Sequence, residues 1–271
     1  MSAPQKQTLL VGNHSQGDAH PREIAFKQRS AAKSGLPGLF WMNGYMSNME
    51  GDKALALDGW ATEKGCGYTR FDYSGHGVSG GAFRDGTISR WLEESLAVFD
   101  DQTAGPQIIC GSSMGGWLAL LLTKTHIARV GLNNSRIKGL VLIAPAIDMT
   151  KALMWDRFDD AARAEMAATG VYLRPSIYGD GPYEITAELI EDGMSHLLGD
   201  DLIETGCPVH ILQGVKDDTV PWHSSVDLVA RLAQDDVKLT LVKDGDHRLS
   251  RPNDLALLLR AVETLLARYF S

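Results

Sequence analysis

Ser113 is the residue whose surroundings point most clearly to chemistry. It lies within Gly-Ser-Ser-Met-Gly-Gly at 111–116, which contains the pattern Gly-x-Ser-x-Gly. A strand-like run at 107–110 precedes this pattern, and the apolar run 117–122 follows it. This order predicts a strand, a sharp turn and a buried helix, with the serine at the tip of the turn. Since the flanking glycines allow close backbone approach, we expect Ser113 to be a nucleophile.

Ser79 is the centre of a second Gly-x-Ser-x-Gly match. No strand pattern lies directly before it, and the glycines at 80–86 disfavour a helix after it. The same segment, 75–80, also fits Gly-x-Gly-x-x-Gly, so a dinucleotide-binding turn is an alternative. Such a turn needs a helix at its third glycine. The next helical pattern begins only at Thr87, so we interpret this segment as a structured loop.

A serine nucleophile needs a base, and His247 is the candidate. It follows the last predicted strand, at the edge where parallel sheets place reactive groups. The loop after the preceding strand supplies Asp217 as the carboxylate that orients the imidazole. Asp218 and Asp148 remain alternatives for that carboxylate. The order Ser113, Asp217, His247 is the order expected when the serine stands on a strand-to-helix turn.

The anionic oxygen formed during acyl transfer needs two preorganised donors. The first expected donor is the backbone N–H of Met114, the residue after the nucleophile. The second is the backbone N–H of Tyr45, in the loop that follows the apolar strand 39–42.

Strand and helix patterns alternate along most of the chain, which predicts an α/β sheet protein. The predicted strands are 8–11, 23–26, 39–42, 68–73, 107–110, 140–144, 209–212 and 237–242. Predicted helices cover 53–64, 88–99, the run after Ser113 and the C-terminal 255–269. Residues 1–148 and 202–271 are therefore expected to form one core domain.

The alternation breaks at 149–201, a segment longer than an ordinary connection. Two helix-like pieces, near 152–169 and 185–198, predict a small lid inserted into the core domain. Its large apolar side chains could line a pocket or anchor the segment: Met154, Trp155, Phe158, Tyr172, Tyr178 and Tyr183.

Composition narrows the class of protein. The formal net charge of −8 disfavours a nucleic-acid partner. Three cysteines without metal-site spacing indicate a reducing compartment. No apolar run is long enough for a membrane span, and no leader pattern opens the sequence. These features predict a cytoplasmic protein without a metal or other cofactor, and they carry no signal for the oligomeric state.

Taken in order, these segments resemble the α/β-hydrolase-fold serine hydrolases. The matching blocks are 43–45, 72–79, 111–116, 214–221 and 246–247. Segments 44–49 and 70–75 are similar to the mitochondrial palmitoyl-protein thioesterase branch, which is also described as hydrolysing acyl glucuronides. One departure is Asn43, where many relatives have histidine, and it leaves the backbone donor intact.

The resemblance implies a mostly parallel twisted sheet with helices on both faces and a small helical lid. It also implies hydrolysis of an ester or thioester of a small acyl substrate through an acyl-enzyme. An acyl-glucuronide substrate would need an arginine for the sugar carboxylate, and Arg157 and Arg174 are the candidates. The remaining alternative is a ligand-binding protein that keeps the scaffold without turnover.

Overall fold

The computed structural model describes residues 4–12, 21–32, 35–174, 183–232 and 236–269. Its strands are β1 (Lys6–Val11), β2 (Arg22–Arg29), β3 (Gly38–Met42), β4 (Tyr68–Phe71), β5 (Gln107–Ser112), β6 (Ile137–Ile143), β7 (Val171–Arg174), β8 (Tyr183–Thr186), β9 (Val209–Gly214) and β10 (Val237–Val242). Its α-helices are α1 (Asp52–Lys64), α2 (Ile88–Gln102), α3 (Met114–Val130), α4 (Asp160–Thr169), α5 (Ala187–Met194), α6 (Trp222–Arg231) and α7 (Pro252–Leu266).

Eight strands form one sheet in the order β1-β2-β4-β3-β5-β6-β9-β10. The first two strands pair antiparallel, and β2 also runs antiparallel to β4. The other six strands are mutually parallel. The central strands β3, β5 and β9 are buried along their whole length, which explains their nearly continuous apolar sequences. The predicted mostly parallel α/β sheet is confirmed.

The order of the strands sets the position of the site. After β3 the chain adds β4 on one side, and it then returns to place β5 on the other side. The carboxyl ends of β3 and β5 therefore lie next to each other, with Met42 paired to Gly111. In open parallel sheets this reversal leaves a crevice where ligands bind.

Helices cover both faces of the sheet. Leu57 of α1 and Val262 of α7 belong to the apolar cluster on one face. Trp91 of α2 and Trp117 of α3 belong to the larger cluster on the opposite face. Helix α3 is buried on nearly all sides at its start, as its uniformly apolar sequence predicts.

The described residues of the segment 149–201 pack over the carboxyl edge of the sheet, where Tyr45 after β3 bonds to the Glu184 carbonyl. The segment contains a π-helical turn (Thr150–Met154), a 3-10 turn (Trp155–Arg157), helices α4 and α5, and the antiparallel ribbon β7–β8. It is therefore not the purely helical lid that the sequence predicts, because the residues around 171–174 and 183–186 pair as strands. Helix α5 packs against α2 of the core.

Two further differences from the predicted elements concern the end of β4 and the presence of α6. Strand β4 ends at Phe71, two residues earlier than predicted, because the Asp72 side chain organises a turn there. Helix α6 has no predicted counterpart. Helix α6 is ten residues long, and of its residues only Ser225 and Leu228 are buried.

Candidate active site

Ser113 lies at the tip of a strained turn between β5 and α3. Its backbone has φ 55° and ψ −119°, a region that residues other than glycine rarely adopt. The Ser113 N–H donates to the Ile143 carbonyl at 2.8 Å, which ties the turn to the end of β6. A Cβ at Gly115 would lie 2.2 Å from the Met42 carbonyl oxygen, so this position accepts only glycine. The turn therefore holds the serine side chain above the sheet, as the sequence predicts.

His247 lies in the loop after β10 and contacts two of the predicted site residues. Its Nε2 atom is 3.1 Å from Ser113 Oγ, and its Nδ1 atom is 2.8 Å from Asp217 Oδ2. The Asp217 side chain is fully buried, whereas the His247 side chain is 19% exposed. This geometry suits a proton relay in which the imidazole bridges a hydroxyl and a carboxylate.

The Asp217 carboxylate has hydrogen bonds on both oxygens. Oδ1 accepts from the backbone N–H groups of Thr219 and Val220 at 2.9 and 2.8 Å. Oδ2 accepts from the Gln213 side-chain amide at 3.0 Å, in addition to its contact with His247. Gln213 is fully buried at the end of β9 and was not predicted from the sequence. The available signal was the position of this polar residue, between the apolar run 209–212 and Gly214.

The two alternative carboxylates occupy other places. Asp218 makes a side-chain contact with the Thr219 hydroxyl at 3.3 Å. Asp148 accepts from the backbone N–H groups of Leu198 and Gly199 at 2.8 and 3.1 Å. Asp148 therefore joins the two ends of the inserted segment, and among these three carboxylates only Asp217 bonds to His247.

Tyr45 follows β3 and lies beside Ser113. Its hydroxyl donates to the Glu184 carbonyl at 2.9 Å, and burial raises the pKa of that hydroxyl. The next residue, Met46, has a φ of 54° and donates its N–H to His76 Nε2 at 3.2 Å. His76 Nδ1 lies 3.1 Å from the Ser74 carbonyl, so that nitrogen carries the proton and the ring is neutral.

The sequence predicts that His76 is part of a structured loop and assigns it no role of its own. Its ring lies among the aromatic side chains of Tyr73, Phe83 and Trp91. Burial among these groups lowers the pKa of His76 to about 4. A neutral imidazole therefore holds the loop that carries Tyr45.

Ser79 is a structural residue in this arrangement. Its hydroxyl donates to the Asp72 carbonyl at 2.6 Å and accepts from the Ala25 N–H at 2.8 Å. The alternative of a dinucleotide-binding turn at 75–80 lacks its helix, since α2 begins at Ile88. A Cβ at Gly77 would also lie 2.1 Å from the Asp72 carboxylate, and that negative charge opposes phosphate binding there.

Two clefts meet at Ser113, His247, Tyr45 and Tyr183. The first, which we call the apolar cleft, has a volume of about 270 Å³ and lies beneath the inserted segment. Its apolar lining residues are Ala146, Met149, Leu153, Met154 and Ile185.

The second, the polar cleft, has a volume of about 280 Å³ and lies against the start of α1. Its polar and charged lining residues are Ser47, Asn48, Asp52, Lys53, Ser112, Arg248 and Ser250.

The large side chains of the inserted segment divide into two groups. Met154 and Tyr183 line the apolar cleft. Phe158 packs between Trp155 and Tyr172, with ring centroids 6.2 and 4.9 Å apart, and these three rings hold the segment together. Tyr178 lies outside the described residues.

The two candidate arginines also differ. Arg174 lines the apolar cleft, whereas Arg157 donates to the Thr219 carbonyl at 3.0 Å.

No group of three potential metal ligands occurs among the described residues. In that same part of the chain, no helix combines the length and apolar character needed to span a bilayer.

The fold and this geometry agree with comparisons to known proteins. The model of the alpha/beta hydrolase family matches residues 34–256, most of the chain. The chain belongs to this family, and it is a hydrolase.

Individual proteins of this family are similar to most of the chain. The chain is 37% identical to the mitochondrial palmitoyl-protein thioesterase ABHD10 of Bos taurus over 244 residues, which are 90% of this chain and 76% of that protein. A putative hydrolase from Agrobacterium vitis is 46% identical, with a TM-score of 0.91 over 98% of this chain and 100% of that one. Mouse alpha/beta hydrolase domain-containing protein 10 is 32% identical, with a TM-score of 0.81 over 97% and 99% of the two chains.

The cytoplasmic location expected from the sequence is wrong. The curated relatives from cattle, orangutan and human are mitochondrial proteins. The expectation rested on free cysteines, acidic charge and the polar N-terminal residues. These features indicate a reducing environment and good solubility, and several compartments share both properties. They therefore do not identify one compartment.

Proposed function

We propose that the chain is a serine hydrolase that cleaves carboxylic ester and thioester bonds of small acyl substrates through an acyl-enzyme on Ser113. The supporting observation is the continuous contact from Ser113 Oγ to His247 and from His247 to the buried Asp217. The named thioesterases among the relatives support the thioester as one of the two bond types.

In the first step, Ser113 Oγ forms a bond to the acyl carbon while His247 Nε2 takes the hydroxyl proton. Asp217 keeps the proton of the ring on Nδ1 and stabilises the imidazolium. The carbonyl oxygen becomes an oxyanion, for which the backbone N–H groups of Tyr45 and Met114 are the donors. The carbon–oxygen or carbon–sulfur bond then breaks, and the leaving group receives the proton from His247.

In the second step, water attacks the acyl carbon and His247 accepts the water proton. The tetrahedral intermediate collapses, the bond to Ser113 Oγ breaks, and Ser113 regains a proton from His247. The products are a carboxylic acid and an alcohol or thiol, so the reaction balances without a cofactor.

We assign residues 1–148 and 202–271 to a core domain and 149–201 to a cap over the site. The Asp148 carboxylate, which bonds to Leu198 and Gly199, marks the place where the cap leaves and rejoins the core. The apolar cleft under the cap is the proposed site for the acyl chain because it is lined by aliphatic side chains next to Ser113.

An acyl glucuronide is the second candidate substrate. Arg174 favours it, since this cation lines the same cleft as Ser113 and is placed to pair with a sugar carboxylate; for this substrate the sugar, not the acyl group, occupies the apolar cleft. Arg157 supports this alternative less, because its guanidinium bonds to the Thr219 carbonyl.

The direct test is the substitution Ser113→Ala assayed with an aryl acetate. Turnover is expected to fall by about four to six orders of magnitude, as when a triad nucleophile is lost. A fluorophosphonate probe should label the wild-type protein at Ser113, and Ser79→Ala should be labelled normally. Probe labelling at Ser79, or full activity of Ser113→Ala, would disprove the proposal. Probe labelling of Ser113 without turnover of any ester or thioester would favour a ligand-binding protein.

A further inference from the structure

The polar cleft contains two cations for which the described residues supply no carboxylate partner. Lys53 and Arg248 both line it, and neither forms an ion pair with any described residue. The Lys53 ammonium instead donates to the Arg248 carbonyl oxygen and lies 3.4 Å from Ser250 Oγ. An ammonium has three N–H donors, so these two neighbours do not saturate it.

Nearby carboxylates do not neutralise this pair. Asp254 bonds to Arg251 at 2.8 Å, and Asp246 accepts from the Leu249 N–H at 3.0 Å. Asp52 is the acidic residue that lines the polar cleft, and its side chain is exposed to solvent. The lining of the cleft therefore has two cations and one carboxylate, although the whole chain has a net charge of −8.

The environment of Lys53 is unfavourable for an unpaired cation. Burial, with a smaller contribution from Arg248, lowers the pKa of Lys53 to about 8. Asp52, Asp246 and Asp254 act in the opposite direction and raise it. An anion bound in the cleft would pair with the ammonium and recover part of the cost of its desolvation.

We propose that the polar cleft binds the leaving group and that Lys53 and Arg248 select leaving groups carrying a carboxylate or a phosphate. This inference rests on the proposed function, because a leaving group exists only if Ser113 is acylated. The two clefts meet at Ser113, so an acyl chain in the apolar cleft directs the rest of the substrate into the polar one. The two clefts have similar volumes, and the polar and charged lining of the second suits a small charged head rather than a second acyl chain.

The test compares two thioesters that share one acyl group and differ only at the end of the leaving thiol. One releases 3-mercaptopropionate, and the other releases the neutral 3-mercaptopropionamide. Their ratio of kcat/KM removes effects common to both substrates, including the protonation of His247. The wild-type ratio at pH 7 and low salt should favour the anion by about tenfold, since hydrogen bonds to charged groups contribute that much.

Substitutions assign the effect to Lys53. Lys53→Met should lower the ratio well below the wild-type value, with Arg248 retaining part of the preference, whereas Lys64→Met, at the other end of α1, should keep the wild-type ratio. Raising the pH from 7 to 9 should lower the wild-type ratio because Lys53 loses its proton while the carboxylate stays charged. Lys53→Arg should keep its ratio at pH 9, because a guanidinium stays protonated. Near-ultraviolet circular dichroism of each variant checks that the fold is retained.

A third thioester with a terminal phosphate separates the two anions. A ratio above one for either anion supports the subsite, and the larger ratio identifies the preferred group. A wild-type ratio at or below one for both anions, or equal ratios in Lys53→Met and Lys64→Met, would overturn the inference. If Ser113→Ala still hydrolysed the neutral thioester, the proposed function itself would fail.

Discussion

At the scale of single residues, Asp217 and Asp218 differ in their surroundings although they are neighbours in the chain. The Asp217 carboxylate is buried and accepts from two backbone N–H groups, from Gln213 and from His247. Asp218 lines the apolar cleft and bonds only weakly to the Thr219 hydroxyl. A loop at the end of a strand can aim only one of two consecutive side chains at the histidine.

Asp217→Asn should reduce turnover by about four orders of magnitude, because an amide N–H facing Nδ1 imposes the wrong tautomer on His247. Asp218→Asn, the matched control, should stay within about tenfold of wild type. Steady-state kinetics with an aryl ester measures both. A large loss in Asp218→Asn with normal activity in Asp217→Asn would reverse the assignment.

The sequence points to Ser113, His247 and Asp217, which the structure brings into contact, but not to the residues around them. Ser113 and His247 follow from motif and strand order, and Asp217 follows from its place after β9. The roles of Gln213 and His76 could not be predicted, because they depend on which atoms of distant loops these side chains meet. A buried amide and a neutral imidazole carry no fixed spacing to the residues they hold.

At the scale of elements, the loop after β3 depends on a contact with the loop after β4. The Met46 N–H bonds to the neutral His76 ring, and Met46 adopts a positive φ. Tyr45, the proposed oxyanion donor, directly precedes this residue. Losing the acceptor leaves the Met46 N–H unpaired and frees the loop to relax from its strained backbone.

His76→Leu should therefore lower kcat by about tenfold to a hundredfold, less than the loss of a whole oxyanion donor. His76→Gln retains a neutral acceptor and should recover most of the activity. Affinity for a boronic acid, which mimics the tetrahedral intermediate, should fall in parallel with kcat, while KM changes little. The exposed His223→Leu is the control. If boronic acid affinity were unchanged in His76→Leu, the loop would not depend on this contact.

The cap is the element for which the sequence predicted least. Its length and its apolar residues were evident, but the ribbon β7–β8 was not, because four-residue strands give too short an alternation to recognise. The sequence also left open whether the aromatic residues line a pocket. Of those that the structure describes, Tyr183 lines the apolar cleft, while Trp155, Phe158 and Tyr172 pack together.

If the apolar cleft holds the acyl chain, kcat/KM should rise about fourfold with each added methylene until the cleft is filled. Leu153→Trp fills part of the cleft and should move the optimum to shorter chains. Leu173→Trp, on the exposed face of β7, should leave the profile unchanged. An ester series of rising chain length measures this, and a flat wild-type profile would exclude the cleft as the acyl site.

At the scale of the whole molecule, buried histidines couple stability to pH. The pKa values of His76, His126 and His210 are lowered, in each case mainly by burial. An unfolded histidine binds a proton below about pH 6.5, whereas these folded ones stay neutral to lower pH. Acid therefore favours the unfolded state through all three. Burial raises the pKa of Asp72 and Glu94, which acts in the opposite direction.

The His76 contribution can be isolated because its folded pKa is about 4. Between pH 7.5 and pH 5, His76 alone should cost the wild-type protein about 2 kcal/mol of unfolding free energy. His76→Gln does not titrate, so its unfolding free energy should fall by about that much less over the same interval. Urea unfolding at the two pH values measures both proteins, and the other histidines and carboxylates cancel in the comparison. Parallel losses in the two proteins would mean that His76 takes up a proton as readily in the folded as in the unfolded state, so that burial does not lower its pKa.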